Sequence, residues 1–245
     1  MATGYFITGT DTDCGKTVIT LGLMQRFRSE GFSVAGMKPV ASGCEWTSAG
    51  LRNGDAVRIL QQSTVQPAYG LVNPYAFEPA IAPHLAAQES GREIDIRLIE
   101  ERYLTLSQEV EMVVMEGVGG WYVPLSDHSL LADLAIALAM PVVLVVGMRL
   151  GCINHALLTW HAIESSGCRL AGWVANSVDP AMRAFDGNLQ TLRQRLRAPL
   201  LGVVPYLERI DPHEVAKHLQ LPGSAGERND ASPGQAGNRP INSLS

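Results

Sequence analysis

The sequence predicts an α/β fold, a doubly wound, mostly parallel sheet with helices on both faces. Three observations predict it. Short β-rich apolar runs alternate with longer stretches of helical spacing, the rhythm that βαβ units produce. The runs are apolar nearly throughout rather than at every second residue, as strands covered on both faces are. The first run also enters a helix-like stretch through a Gly-rich turn, GTDTDCGKT at Gly9 to Thr17.

The predicted strands are residues 5–8, 34–37, 112–115, 142–146, 173–175 and 200–204. Between them, residues 18–28, 94–109, 130–140, 154–166 and 181–197 carry apolar side chains at the spacing of helices that pack on a sheet. Residues 43–83 are richer in Gly, Asn, Pro and Gln, and are expected to hold one short helix near residues 55–62 within long loops. After Leu221 the composition becomes PGSAGERNDASPGQAGNRPINSLS, with too few apolar residues to offset the entropy of ordering. One domain over residues 1–221 and a tail over 222–245 are expected.

At 245 residues the chain suits one large α/β domain. Its 46% hydrophobic and 18% charged residues are a globular balance. Nineteen Lys plus Arg against 24 Asp plus Glu, a formal charge of −5, leave no basic footprint for nucleic acid or an anionic membrane. The start, MATGYFITG, has no basic region or long apolar stretch of a secretory signal, and the longest apolar run, 141–148, is too short to span a bilayer. Cys14, Cys44, Cys152 and Cys168 are scattered, without metal-ligand spacing. Reduced thiols and a cytoplasmic location are expected.

In an open parallel sheet the ligand crevice lies at the carboxyl ends of the strands. The residues that follow the apolar runs are GTDTDCGKT, Lys38, Glu116-Gly117, Asn176 and Pro205. A Gly-rich turn ahead of a helix leaves backbone N–H groups free and adds the partial positive charge of the helix end, so it cradles phosphates. Lys16 would reach the β- and γ-phosphates, and Thr17, the first helical side chain, would turn its hydroxyl to Mg²⁺. Five residues separate Gly9 from Gly15, one more than the strict phosphate-loop pattern allows. Mg²⁺ needs an acid nearby, and Glu116, at the end of MVVME, is the obvious candidate, with a merely solvated strand-end carboxylate as the lesser alternative. Asp55 by itself reads as a helix cap, and Lys38 by spacing alone is as readily a solvated lysine. Asn176 offers the donor and acceptor that an adenine edge pairs with, although turn asparagines are common.

Taken together, GTDTDCGKT, KPVASG, LRNGDA, VNPYAF, VEMVVMEGVGGWYVPLSD, VVGMRLGCINHALLT, LAGWVANSVDP and PLLGVVPYL resemble the dethiobiotin synthetases, in order, over residues 3–207. The resemblance implies a phosphate-loop NTPase-type fold, a homodimer, and the conversion of 7,8-diaminononanoate, CO₂ and MgATP into dethiobiotin, ADP and phosphate. It implies phosphate binding by Asp13, Cys14, Gly15, Lys16, Thr17 and Val18. Lys16 and Lys38 would flank the transferred group as the catalytic cations, with Thr17, Asp55 and Glu116 arranging Mg²⁺. Gly117, Val118 and Gly119 would continue the nucleotide site, Asn176 and Ser177 would meet adenine, and Pro205, Tyr206 and Leu207 would close over it. Thr12 and Ser42 would lie beside the diamine, and Gly151, Cys152, Ile153 and Asn154 would bind the substrate carboxylate across the dimer interface. The family loop often has Glu and Val where this chain has Asp13 and Cys14.

Two other readings share the fold. A switch ATPase of the partitioning class would carry a second lysine early in the loop, and Thr10 to Asp13 contain none. A related ATP-dependent amide-forming ligase is excluded by neither composition nor spacing.

Overall fold

A computed structural model describes residues 3–223 of the chain. β1 (Thr3–Gly9) leads into α1 (Lys16–Ser29) and β2 (Val34–Met37), the last buried at every position. The chain then breaks into short pieces: β3 (Val40–Ala41), the hairpin of β4 (Glu45–Thr47) and β5 (Gly50–Arg52), α2 (Gly54–Gln62), α3 (Tyr69–Val72), β6 (Tyr75–Ala76) and α4 (Pro83–Glu89). Longer elements resume with α5 (Ile96–Ser107), β7 (Met112–Glu116), α6 (Leu131–Ala137), β8 (Val142–Met148) and α7 (Cys152–Ser165). β9 (Leu170–Ser177), α8 (Phe185–Arg195), β10 (Leu200–Val204) and α9 (Pro212–Lys217) follow.

Six strands form one sheet in the order β10-β9-β8-β1-β7-β2, and every neighbouring pair is parallel. Successive residues of each strand feed opposite cores, as the pleat requires. Ile7, Val114, Val143 and Val174 pack with Ile19, Leu23 and Met24 of α1, Ile59 of α2 and Val215 of α9. Phe6, Val113, Leu144 and Trp173 pack with Ile99 of α5, Leu134 of α6, Ile163 of α7 and Leu192 of α8. This is the expected doubly wound, parallel arrangement with helices on both faces. Both sides of each strand are used, which is why the sequence runs are apolar throughout.

Where boundaries differ from expectation, local polar chemistry sets them. The helix expected over 181–197 starts at Phe185, because Asp179 Oδ1 accepts from the Ala181 N–H at 2.9 Å and Ala184 turns left-handed (φ 55°). The helix expected from residue 154 starts at Cys152, directly after Gly151 at φ 93°. The fifth strand runs through Asn176 and Ser177, so both are strand residues rather than loop residues. Residues 43–83 hold α2, α3, the β4–β5 hairpin and β6, which pairs with β3 just ahead of the segment, instead of one helix in loops. Pairs of two or three residues, such as β3 with β6, carry no periodic signal to read.

Of the tail expected from residue 222, residues 224–245 lie outside the described residues; the Pro222 carbonyl accepts from the Tyr5 hydroxyl at 3.2 Å. Among the described residues no helix is long and apolar enough to cross a membrane. All four cysteines are free thiols, as expected.

Candidate active site

The phosphate loop is shaped by what its glycines leave out. A Cβ on Gly9 would sit 2.3 Å from Cys14 Sγ, and one on Gly15 would sit 1.9 Å from Asn176 Nδ2. Cys14 is therefore not a cleft residue: its side chain is fully buried beneath the loop. Gly15 lies at φ 90° and Asp13 at φ 57°, the left-handed region that a non-glycine residue enters only when its surroundings enforce it. Gly15 also caps α1 without a side-chain hydrogen bond, and no acidic residue stands in the first turn. The N–H groups of that turn are thus left for an anion. Asn176 Nδ2 donates to the Cys14 carbonyl at 3.0 Å and braces the loop from below.

Gly15→Ala is expected to weaken ADP binding about ten- to a hundredfold, from about 1–3 kcal/mol of backbone strain and loop displacement. Calorimetric titration of ADP checks this, and unchanged affinity would contradict the role given to the Gly15–Asn176 contact.

Strand order then gathers distant residues. β1, β7 and β2 are consecutive in the sheet, so the ends of these three strands form a row. Thr17, on the helix after β1, donates its hydroxyl to Glu116 Oε1 at 2.8 Å. Lys38, after β2, donates to the same oxygen at 2.5 Å and to Asp55 Oδ2 at 3.1 Å. Glu116 is wholly buried at the end of β7. Burial acts to lower the Lys38 pKa, but the opposed charges and hydrogen bonds of Glu116 and Asp55 outweigh it and hold the ammonium above the ordinary lysine value. Lys16 differs: its ammonium donates to the Asp11 carbonyl at 2.9 Å. Asp55 does not cap α2. Asn53 does, its Oδ1 accepting from the Asp55 and Ala56 N–H groups, because a cap must precede the first turn. Lys16, not Thr17, is the first residue of α1.

Glu116 Oε2 is buried with no partner among the described residues. A buried carboxylate oxygen without a donor is costly, and a cation beside it removes the cost. The oxygens present, one hydroxyl with two carboxylates, suit a hard cation such as Mg²⁺, which takes few protein ligands and completes its shell with phosphate and water. Thr17, Asp55 and Glu116 therefore fit Mg²⁺.

Thr12, Asp13, Gly15, Lys16, Thr17, Val18, Lys38, Ser42, Asp55, Glu116, Val118 and Gly119 line one cleft of about 730 Å³. Ser42 Oγ is buried there without a partner among the described residues. Gly117 is buried at the strand end, where a Cβ would lie 2.9 Å from Leu131. Gly151, Cys152, Ile153, Asn154, Asn176, Ser177, Pro205, Tyr206 and Leu207 do not line this cleft. Gly151 opens α7 without a side-chain cap, beside Leu150, which is 97% exposed.

Several cleft residues were missed from sequence. Ala80, Ile81 and Ala82 ahead of α4, Pro83 at its start, and Tyr122, Val123 and Pro124 also line it. The available signal was the WYVP that follows GVGG, an apolar stretch too short to be a core element. Asp11 was missed too: its carboxylate pairs with Arg149 at 2.6 Å, tying the phosphate loop to the segment before α7.

Comparison with known proteins shows the family to which the chain belongs. Residues 3–214 match the family described as AAA domain. The ATP-dependent dethiobiotin synthetase BioD of Pseudomonas aeruginosa strain UCBPP-PA14 is 56% identical over 218 residues, covering 89% of this chain and 96% of that protein. The protein of the same name from Aromatoleum aromaticum is 49% identical over 219 residues, 89% of this chain and 97% of the relative. Among solved structures, the MinD cell division protein of Aquifex aeolicus superposes with a TM-score of 0.53 at 16% identity, over 89% of this chain and 88% of its own, a likeness of fold alone. A phosphate loop with its acid and lysine partners, in a chain this similar to those enzymes over nearly their whole length, belongs to the ATP-dependent dethiobiotin synthetase family of ligases.

Proposed function

We propose that this protein is an ATP- and Mg²⁺-dependent cyclo-ligase that forms the ureido ring of dethiobiotin from 7,8-diaminononanoate and CO₂, releasing ADP and phosphate. The observation that carries the reading is the convergence of Thr17, Lys38, Asp55 and Glu116 beside the phosphate loop, in one cleft that also holds Thr12 and Ser42. One amine attacks CO₂ and loses a proton, giving a carbamate. A carbamate oxygen attacks the γ-phosphorus, the bond to the β–γ bridging oxygen breaks, and ADP leaves a carbamic-phosphoric anhydride. The second amine attacks the carbonyl carbon, phosphate departs, and the ring closes.

The chain's part in these steps is to position groups and to neutralise charge. Lys16 and Lys38 flank the transferred phosphoryl. Held above the ordinary lysine value, Lys38 stays an ammonium at neutral pH and acts as a fixed cation rather than as a base. Thr17, Asp55 and Glu116 would hold Mg²⁺, which when bound supplies charge neutralisation on the phosphate oxygens. The unpartnered Ser42 hydroxyl and Thr12 face the diamine, and Ile81, Val123 and Pro124 give its aliphatic chain an apolar wall. Asn176, whose Nδ2 is committed to the Cys14 carbonyl, and Ser177 would meet adenine, and Pro205 to Leu207 would close over it. In a homodimer, Gly151 to Asn154, at the start of α7 where no side chain caps the helix, would bind the substrate carboxylate of the neighbouring protomer. Four free thiols suit a cytoplasmic enzyme. Against a partitioning-type switch stands the phosphate loop itself, which has no lysine between Thr10 and Asp13.

Mass spectrometry of the product from diaminononanoate, ¹³C-bicarbonate and MgATP tests the reading. One labelled ureido carbon per ADP released is expected. ATP hydrolysis at full rate without the diamine would overturn it in favour of a switch ATPase.

A further inference from the structure

Three site residues hang on one buried polar chain that takes no part in the chemistry above. The Asn53 N–H donates to the Tyr69 hydroxyl oxygen at 2.8 Å, and that hydroxyl donates to Asn73 Oδ1 at 2.8 Å. Asn73 Nδ2 donates to the Lys38 carbonyl at 2.7 Å and to the Tyr75 carbonyl at 3.3 Å. At the other end, Asn53 Oδ1 accepts from the Asp55 and Ala56 N–H groups, each at 3.1 Å, and its Nδ2 reaches the Ser42 carbonyl at 3.5 Å. The chain thus runs from the backbone of Lys38, through α3, to the first turn of α2 and the Ser42 segment.

Its two asparagines are shielded from water, Asn53 at 8% and Asn73 at 3% exposed, with Tyr69 half-buried between them. Burial, partly countered by the Asn53 N–H, holds the Tyr69 phenol above its ordinary pKa, so it keeps the proton that it donates. The Arg52 guanidinium lies 4.1 Å over the Tyr69 ring and fixes the ring's plane. Residues 38–73 otherwise consist of elements of two to nine residues, too short to hold a site to the fraction of an ångström that phosphoryl transfer demands. Lys38 and Asp55 reach each other across this segment, and Asp55 is partly exposed, so their 3.1 Å contact depends on where α2 begins.

We infer that Tyr69 is a positioning residue: with Asn73 and Asn53 it sets Asp55 and Ser42 against Lys38, so that cation, metal ligand and diamine-facing hydroxyl move as one unit. The inference rests on the ligase reading for what the unit acts on, and on geometry alone for the unit itself. Tyr69→Phe keeps the ring and its stacking but leaves the Asn53 N–H and Asn73 Oδ1 without partners.

The experiment compares wild type, Tyr69→Phe, Asn73→Ala, the double variant, and Ile163→Val as a remote core control, on the full-length protein. Diamine- and bicarbonate-dependent ADP release, ADP affinity and Tm are measured, with hydrogen exchange of residues 38–57. For Tyr69→Phe we expect kcat to fall about tenfold, the equivalent of one unpaired buried group. ADP affinity should stay within twofold, because the phosphate loop is not touched. Exchange should rise in 38–42 and 53–57 for Tyr69→Phe and not for Ile163→Val. The double variant should be no slower than the worse single one, as for groups that act in series. A kcat within twofold of wild type, or losses in the two single variants that multiply in the double, would overturn the role. If wild type forms no ring product, the ligase reading fails, and exchange alone decides the tether: an unchanged pattern in Tyr69→Phe refutes it.

Discussion

Lys38→Gln is expected to abolish ring formation, by about a thousandfold or more, and to lower stability as well. The activity term follows from removing a cation fixed where negative charge develops on the phosphoryl group. The stability term comes from Glu116, wholly buried, whose Oε1 takes its hydrogen bonds from Lys38 and Thr17. A buried carboxylate that loses its cation costs roughly 3 kcal/mol, which for a chain of this size lowers Tm by several degrees. Glutamine keeps an N–H donor, so part of the loss is offset. Adding Glu116→Gln should return most of the Tm and none of the turnover. Coupled ADP-release kinetics and calorimetry on the single and double variants check both halves. A Lys38→Gln protein with native Tm would show that the Lys38–Glu116 pair does not hold the fold.

Lys16→Gln should lose as much turnover with little change in Tm. Its ammonium meets the Asp11 carbonyl, and no salt bridge to a carboxylate is formed by it among the described residues. Losing one such hydrogen bond costs about 1 kcal/mol, and no buried charge is left unpaired. The two lysines, which the family resemblance treats alike as cations flanking the transferred group, therefore separate by calorimetry. ADP affinity should also fall for Lys16→Gln and much less for Lys38→Gln, because only Lys16 belongs to the phosphate loop. Near-native turnover by both variants would remove the cationic roles proposed for them.

Much of the fold was legible because the information is local. An apolar run of three to five residues between turn residues declares a strand covered on both faces wherever it lies in a sheet, and all six runs became strands of one sheet. The phosphate loop was legible in the same way, with residue types and a strand-to-helix position outweighing the extra residue between Gly9 and Gly15. Asn53 was not legible. LRNGDA reads as a helix cap at Asp55, and only the backbone shows that Asn53 closes the first turn while Asp55 turns to Lys38. Nor were the cleft-lining residues 80–82 and 122–124, which belong to no periodic element.

By itself, then, the sequence determined a parallel sheet, a phosphate-binding turn and, through its likeness to a family, the reaction to look for. The tertiary structure decided which strand ends are neighbours. Runs apolar on both faces pack equally well in any order, so nothing in them states that β7 lies between β1 and β2. Only that order brings Thr17, Lys38 and Glu116 onto one oxygen, and only the Asn53–Tyr69–Asn73 chain brings Asp55 to meet them.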